Sequence, residues 1–293
     1  MINYIVGAII EGIEKGQVLK GKIPRAKELG LYFSPLATFA NNEIDYIIAD
    51  LTYLLTDSSY SGAPMLRQKF HRFKQLSGRL SEIENVVIAA INRKTEDDDF
   101  VNKLVYGICS EINYPLQSPV ASCLSQKYYH IYPYYNLICI PLLESEFILH
   151  IPDIYHELGH PLISIDNPKI LEFQKQIGLF NIEAKKYFNE EIKRRDLNKM
   201  KGDNVYSPLD LWRDSWVEKW STELFCDLFA AFTLGPAYAW SNIHMCVKMS
   251  WEIYRISMYQ KTAHPADDAR MRAILLALKK LDYANEAKQI ELK

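Results

Sequence analysis

Two histidines four residues apart, in His156-Glu157-Leu158-Gly159-His160, make the tightest demand this sequence places on its fold. Positions i and i+4 of a helix lie on one face, one turn above each other, so a helical stretch here lets both imidazoles converge on one metal ion. Zn²⁺ is the usual occupant of such a pair. Glu157 points in a neighbouring direction, close enough to a water activated by the ion to take its proton. Two histidines do not hold a catalytic zinc. A third protein ligand is needed, with the fourth position left to water.

The donors downstream are few. Pro161-Leu162-Ile163-Ser164-Ile165-Asp166 supplies no third histidine, and only His244 and His264 follow. The better source is the apolar run from Trp220 to Phe232, which has helical spacing and carries only two carboxylates, Glu223 and Asp227, four apart on one face. A carboxylate inside an apolar helix is costly unless it is paired or binds a metal. Glu223 as the third ligand, with Asp227 accepting a hydrogen bond from a ligand histidine, removes that cost for both. The alternative is a buried pair satisfied by arginine or backbone donors. Further on, His264-Pro265 falls where a helix should begin, with Asp267 and Asp268 in its first turn and Arg270 behind them.

Taken in order, HExxH, ExxxD and HPxxxxR resemble the gluzincin metallopeptidases, most closely the group of HtpX, the CAAX prenyl proteases and their soluble relatives. The ImmA-type metallopeptidases share the first two elements and a Pro-terminated apolar run, here residues 228–236. The resemblance covers roughly residues 130–280, about half the chain. It implies a predominantly helical α+β fold, a zincin-like metallopeptidase domain with a short edge β-sheet. It also implies that His264 donates to the oxyanion and that Arg270 braces Asp227 or the His264 loop. Thr222 stands where the group usually has Gly, and Cys226 where it has Ala. The membrane helices of HtpX and the prenyl proteases have no counterpart. The longest apolar run, 224–240, is interrupted by Asp227 and Gly235-Pro236, and residues 2–10 lack the basic start of a signal peptide.

Length and composition bound the remainder. A chain of 293 residues can bury a full core as one large domain or two intimate ones. The turn-rich stretch 114–119 marks the expected border between a helical N-terminal region, 1–115, and the catalytic region, 116–293. A net charge of −2 gives no electrostatic case for nucleic acid or an anionic membrane. Five cysteines without CxxC spacing read as reduced thiols of a cytoplasmic protein. Helical spacing predicts helices over 41–55, 64–92 and 100–112, with a strand over 135–141 leading through 142–151 into the motif helix. Asp166-Asn167-Pro168 should start another helix, and Ser207-Pro208 the one carrying Glu223. The charged stretch 183–203 reads as a solvated helix and loop, or as a substrate lid. Tyr128, Tyr129, Tyr132, Tyr134 and Tyr135 read as half-buried strand positions, one of which would line a cleft in the alternative reading. His150 is out of register for the same metal, and Tyr155 should pack beside the motif helix.

These observations converge on a zinc-dependent peptidase acting on a peptide or protein. His156, His160 and Glu223 hold Zn²⁺, Glu157 moves the proton from the attacking water to the leaving amine, and Asp227 orients a ligand imidazole. The competing expectations are a zinc-containing binding or regulatory protein with little turnover, and a zinc hydrolase of a non-peptide amide. The sequence leaves substrate, cleavage preference and oligomeric state open.

Overall fold

The computed structural model describes residues 2–60, 65–125, 128–141, 148–198, 208–249 and 252–291, which are predominantly helical with a small three-stranded sheet. The chain divides into two compact units. One comprises residues 1–108, 118–128 and 134–142, the other residues 109–117, 129–133 and 143–293.

In the first unit, α1 (Ile2–Gly21) packs on α2 (Ala26–Thr56). Phe33, Leu36, Ala40, Ile44, Ile47, Leu51 and Leu54 are buried along α2 at steps of three and four, the stripe that places a helix against a core. Gly30, at φ 67°, takes a conformation that L side chains avoid and breaks the first turns of α2. α3 (Leu66–Glu82) lies against α2 and runs through a widened turn, Ile83–Ile88, into α4 (Ala89–Asn92). α5 (Glu96–Glu111) opens on four acids, which suit the positive end of a helix. Among them Asp98 accepts from Thr95 N at 2.6 Å and from Cys123 N at 2.6 Å.

The strands are β1 (Val120–Ser125), β2 (His130–Tyr132) and β3 (Leu137–Pro141). β1 and β3 run parallel, with Val120 opposite Leu137, Ala121 opposite Ile138 and Ser122 opposite Cys139, then a bulge before Ser125 meets Pro141. Leu137 to Ile140 are all buried, as expected of a parallel strand covered on both faces. The strand expected from residue 135 starts two residues later because Pro133–Tyr135 form a 3-10 turn. The hydroxyls of Tyr134 and Tyr135 are taken up within this unit, by Glu43 at 3.0 Å and by Glu82 at 3.0 Å.

The second unit is built from α6 (Ile151–Ser164), α7 (Leu171–Asn198), α8 (Leu209–Ser215), a widened turn Trp216–Trp220, α9 (Ser221–Leu234), α10 (Pro236–Met249), α11 (Asp267–Lys280) and α12 (Ala284–Glu291). The apolar α9 is central, packing on α6, α7, α10 and α11. Asn167 accepts from Lys169 N at 3.0 Å and starts the 3-10 turn Pro168–Ile170 that leads into α7. Gly235, at φ 60°, ends α9, and Pro236 begins α10 at once. Residues 64, 142–147, 199–203 and 207, which carry parts of the expected helix starts, the strand-to-helix link and the lid, lie outside the described residues. Among the described residues no helix is long and apolar enough to cross a membrane.

Candidate metal centre

The site forms where α6 and α9 cross. A Cβ on Gly159 would stand 2.9 Å from the Cα and 2.9 Å from the Sγ of Cys226, closer than real Cβ atoms approach backbone. Glycine at this step of the HExxH helix therefore lets two backbones touch, and the side chains flanking the contact face one another across it. Gly159→Ala is expected to lower stability by about 1–3 kcal/mol, because backbone must move to admit the methyl. Chemical denaturation checks this, and an unchanged midpoint would show that the crossing has slack.

α6 turns His156, Glu157 and His160 toward this contact, and α9 answers with Glu223, Cys226 and Asp227. The two imidazoles stand edge to face, centroids 5.2 Å apart. Glu223 Oε2 lies 3.4 Å from His156 Nε2, and its Oε1 lies 4.0 Å from His160 Nε2. His156, His160 and Cys226 also form a group able to hold a metal ion, with donor atoms within 4.8 Å of one another. A tetrahedral zinc with bonds of about 2.0–2.1 Å sets its nitrogen and oxygen ligands roughly 3.3 Å apart. The Glu223–His156 separation matches such an edge and is long for a hydrogen bond. Two imidazoles with a carboxylate or a thiol suit zinc, so the residues present fit the ion.

The far side of His156 is tied down. Its Nδ1 lies 2.9 Å from Asp227 Oδ1, and Asp227 is fully buried. Arg270 on α11 grips the same carboxylate in a fork, Nε to Oδ2 at 2.8 Å and a terminal nitrogen to Oδ1 at 2.6 Å. The Tyr238 hydroxyl on α10 donates to Oδ1 at 2.5 Å and lies 3.2 Å from His156 Nδ1. Burial alone would raise the Asp227 carboxyl, and Arg270 overrides it and holds it well below the usual range. Burial likewise pushes the His156 imidazole down, but Asp227 and Glu223 hold it up at about 10 without a metal. His160 goes the other way, to about 4, through burial and then the neighbouring charge on His156.

Glu157 is buried beside this group, and its Oε2 accepts from Ile131 N on β2 at 2.9 Å. Burial raises its carboxyl above the ordinary value, the main favourable influence on the ionised form being the neighbouring His156. His264, just ahead of α11 and largely exposed, places Nδ1 2.9 Å from Glu223 Oε2. In this arrangement its ring is engaged with the carboxylate expected to be the third ligand. His130, beside Ile131, is pushed down by burial and partly restored by the Glu223 charge, which puts it within electrostatic reach of the centre. His150 is buried away from the cluster, its ring 5.2 Å from that of His244, and Tyr155 is buried on α6.

All seven residues singled out in the sequence thus meet in one unit: His156, Glu157, His160, Glu223, Asp227, His264 and Arg270. Sequence reasoning passed over Tyr238, His130 and the Ile131 amide, and met Cys226 only as an unusual residue in the Glu223 helix. Comparison with known protein families, with curated proteins and with solved structures finds no significant match.

Proposed function

We propose that this protein is a zinc-dependent peptidase of gluzincin type, with His156, His160 and Glu223 as the metal ligands. One observation carries the reading. A buried carboxylate that is not a ligand, Glu157, is pinned by the Ile131 N–H beside a cluster of two imidazoles and a carboxylate. A purely structural metal site has no use for such a group, whereas hydrolysis needs a base of raised pKa next to the attacking water.

Zinc held there would act as a Lewis acid on the scissile carbonyl and make water acidic enough to attack near neutral pH. Glu157 takes the proton from that water and passes it to the departing amine. The Ile131 amide fixes which way its carboxylate faces. Asp227, clamped by Arg270, keeps the His156 Nδ1 proton in place and leaves Nε2 as the electron-pair donor. His264 holds Glu223 from the solvent side. The substrate is a peptide or protein, and five cysteines without CxxC spacing fit the reducing cytoplasm.

Glu223 is preferred to Cys226 as third ligand because its two oxygens reach toward both imidazoles, while the Cys226 sulfur sits against the α6 backbone at Gly159. Purified protein should hold about one zinc per chain. His156→Ala, His160→Ala and Glu223→Ala should each lose most of it, and Cys226→Ala should keep it. Metal analysis of the four variants decides. Zinc retained by Glu223→Ala and lost by Cys226→Ala would give the third place to the thiol and overturn the gluzincin ligand set.

A further inference from the structure

Tyr238 is the largest of the fully buried side chains, and its hydroxyl sits between two members of the metal centre. It reaches them because α10 begins at once after Gly235 and packs on both α9 and α6, setting Tyr238 beside His156 with ring centroids 6.4 Å and planes 11° apart. The phenol has one proton to give. Asp227 Oδ1 stands at 2.5 Å and His156 Nδ1 at 3.2 Å. A carboxylate at the shorter distance is the stronger acceptor, so the proton goes to Asp227. Arg270 cannot compete for that proton, since guanidinium only donates.

The consequence falls on His156. With its proton committed to Asp227, the Tyr238 oxygen presents only lone pairs toward Nδ1. Nδ1 therefore faces two acceptors, the carboxylate at 2.9 Å and the phenol oxygen at 3.2 Å, and no donor. Only a protonated Nδ1 satisfies both, so Nε2, on the side of Glu223, is the nitrogen that would give up its proton to a cation.

We propose that Tyr238 is a positioning residue of the metal centre, locking His156 with its proton on Nδ1 and its Nε2 lone pair aimed at the ion. The proposal rests on the metal-dependent reading above and adds a second device to the Asp227–Arg270 clamp. Oδ1 of Asp227 is held on three sides, by Tyr238, Arg270 and His156, so the carboxylate cannot swing and carry the imidazole with it. Residues that fix a ligand histidine in this way typically change metal affinity about 10–100-fold when lost.

The test is Tyr238→Phe, which keeps the ring and its packing and removes only the hydroxyl. Zinc affinity is measured by competition with a chromophoric chelator. A second measurement uses wild type alone: in the zinc-loaded protein, proton NMR should show the His156 Nδ1–H in close contact with the Tyr238 hydroxyl proton. The expected results are zinc affinity weakened about tenfold or more in the variant and a cross-peak between the two protons in wild type. Affinity within twofold of wild type would reduce Tyr238 to packing and overturn the proposal. So would a missing cross-peak, which decides the matter even if the variant fails to fold. Wild type that takes up no zinc would instead bring down the metal reading, and this inference with it.

Discussion

Glu157→Gln is expected to lower peptide cleavage by about 10²–10⁴-fold while zinc content and fold stay as in wild type. Glutamine keeps the size of the side chain, and its amide oxygen can still accept from the Ile131 N–H that holds Glu157 at 2.9 Å. It cannot take a proton from water at neutral pH. The loss therefore isolates base chemistry from positioning and from metal binding, since Glu157 is not among the ligands. The measurement is cleavage of a diverse peptide pool by both proteins, with zinc determined in each. Equal cleavage would remove Glu157 from the reaction. An absence of cleavage by either, with zinc present, would favour a binding or regulatory protein that keeps the ion without turnover.

Arg270→Met should give the largest loss of stability, about 3–5 kcal/mol, because it leaves the Asp227 carboxylate buried without its main counter-charge. Both partners are almost wholly inside, with side-chain exposures of 8% and 0%, so solvent cannot step in to screen the orphan. Converting both, Arg270→Met with Asp227→Leu, should recover part of the loss, since two apolar groups replace two charges. Recovery will be incomplete because Tyr238 and His156 then lose their shared acceptor. Tryptophan fluorescence during urea unfolding is the suitable probe: the tryptophans described, at 212, 216, 220 and 240, belong to the second unit. A single mutant as stable as wild type would show that the clamp contributes nothing to folding.

Glu157, and the Asp227 carboxylate that the second variant orphans, are residues that spacing alone made legible. A four-residue step placed His156 with His160 and Glu223 with Asp227, each pair on one helical face, and the cost of a carboxylate in an apolar helix implied that the faces meet. Arg270 was visible only through the resemblance, because nothing in its own surroundings announces a buried ion pair. Tyr238 was hidden for a geometric reason: it lies eleven residues after Asp227 on the next helix, and only the packing of α10 on α9 brings the two together. Ile131 contributes a backbone amide, which side-chain identity cannot advertise. Cys226 carried a signal that went unread, since a step of three from Glu223 already set it on the same face.

Helical periodicity located the C-terminal half of α2, the stretch of α3 and α4, and α5, while cap and proline signals pointed to the start near Asn167; α1, α10 and α12 were not expected. The turn-rich stretch 114–119 drew attention as a border, yet the units exchange the chain more than once around it, with residues 118–128 and 134–142 in one unit and 129–133 in the other. Such returns arise from non-local strand pairing, which local composition does not encode.

The contact at Gly159 has a bearing on how the protein would take up the proposed ion. Backbone against backbone leaves α6 and α9 no room to drift, so the spacing of the candidate donors is set by the polypeptide itself. Loading then resembles filling a rigid socket, with little conformational entropy to surrender. A protein of this kind can be stripped by a chelator and recharged without passing through the unfolded chain. With zinc as the proposed occupant, the ambient zinc level would register as a change in melting temperature, through the mass-action stabilisation that any ligand selective for the native state confers.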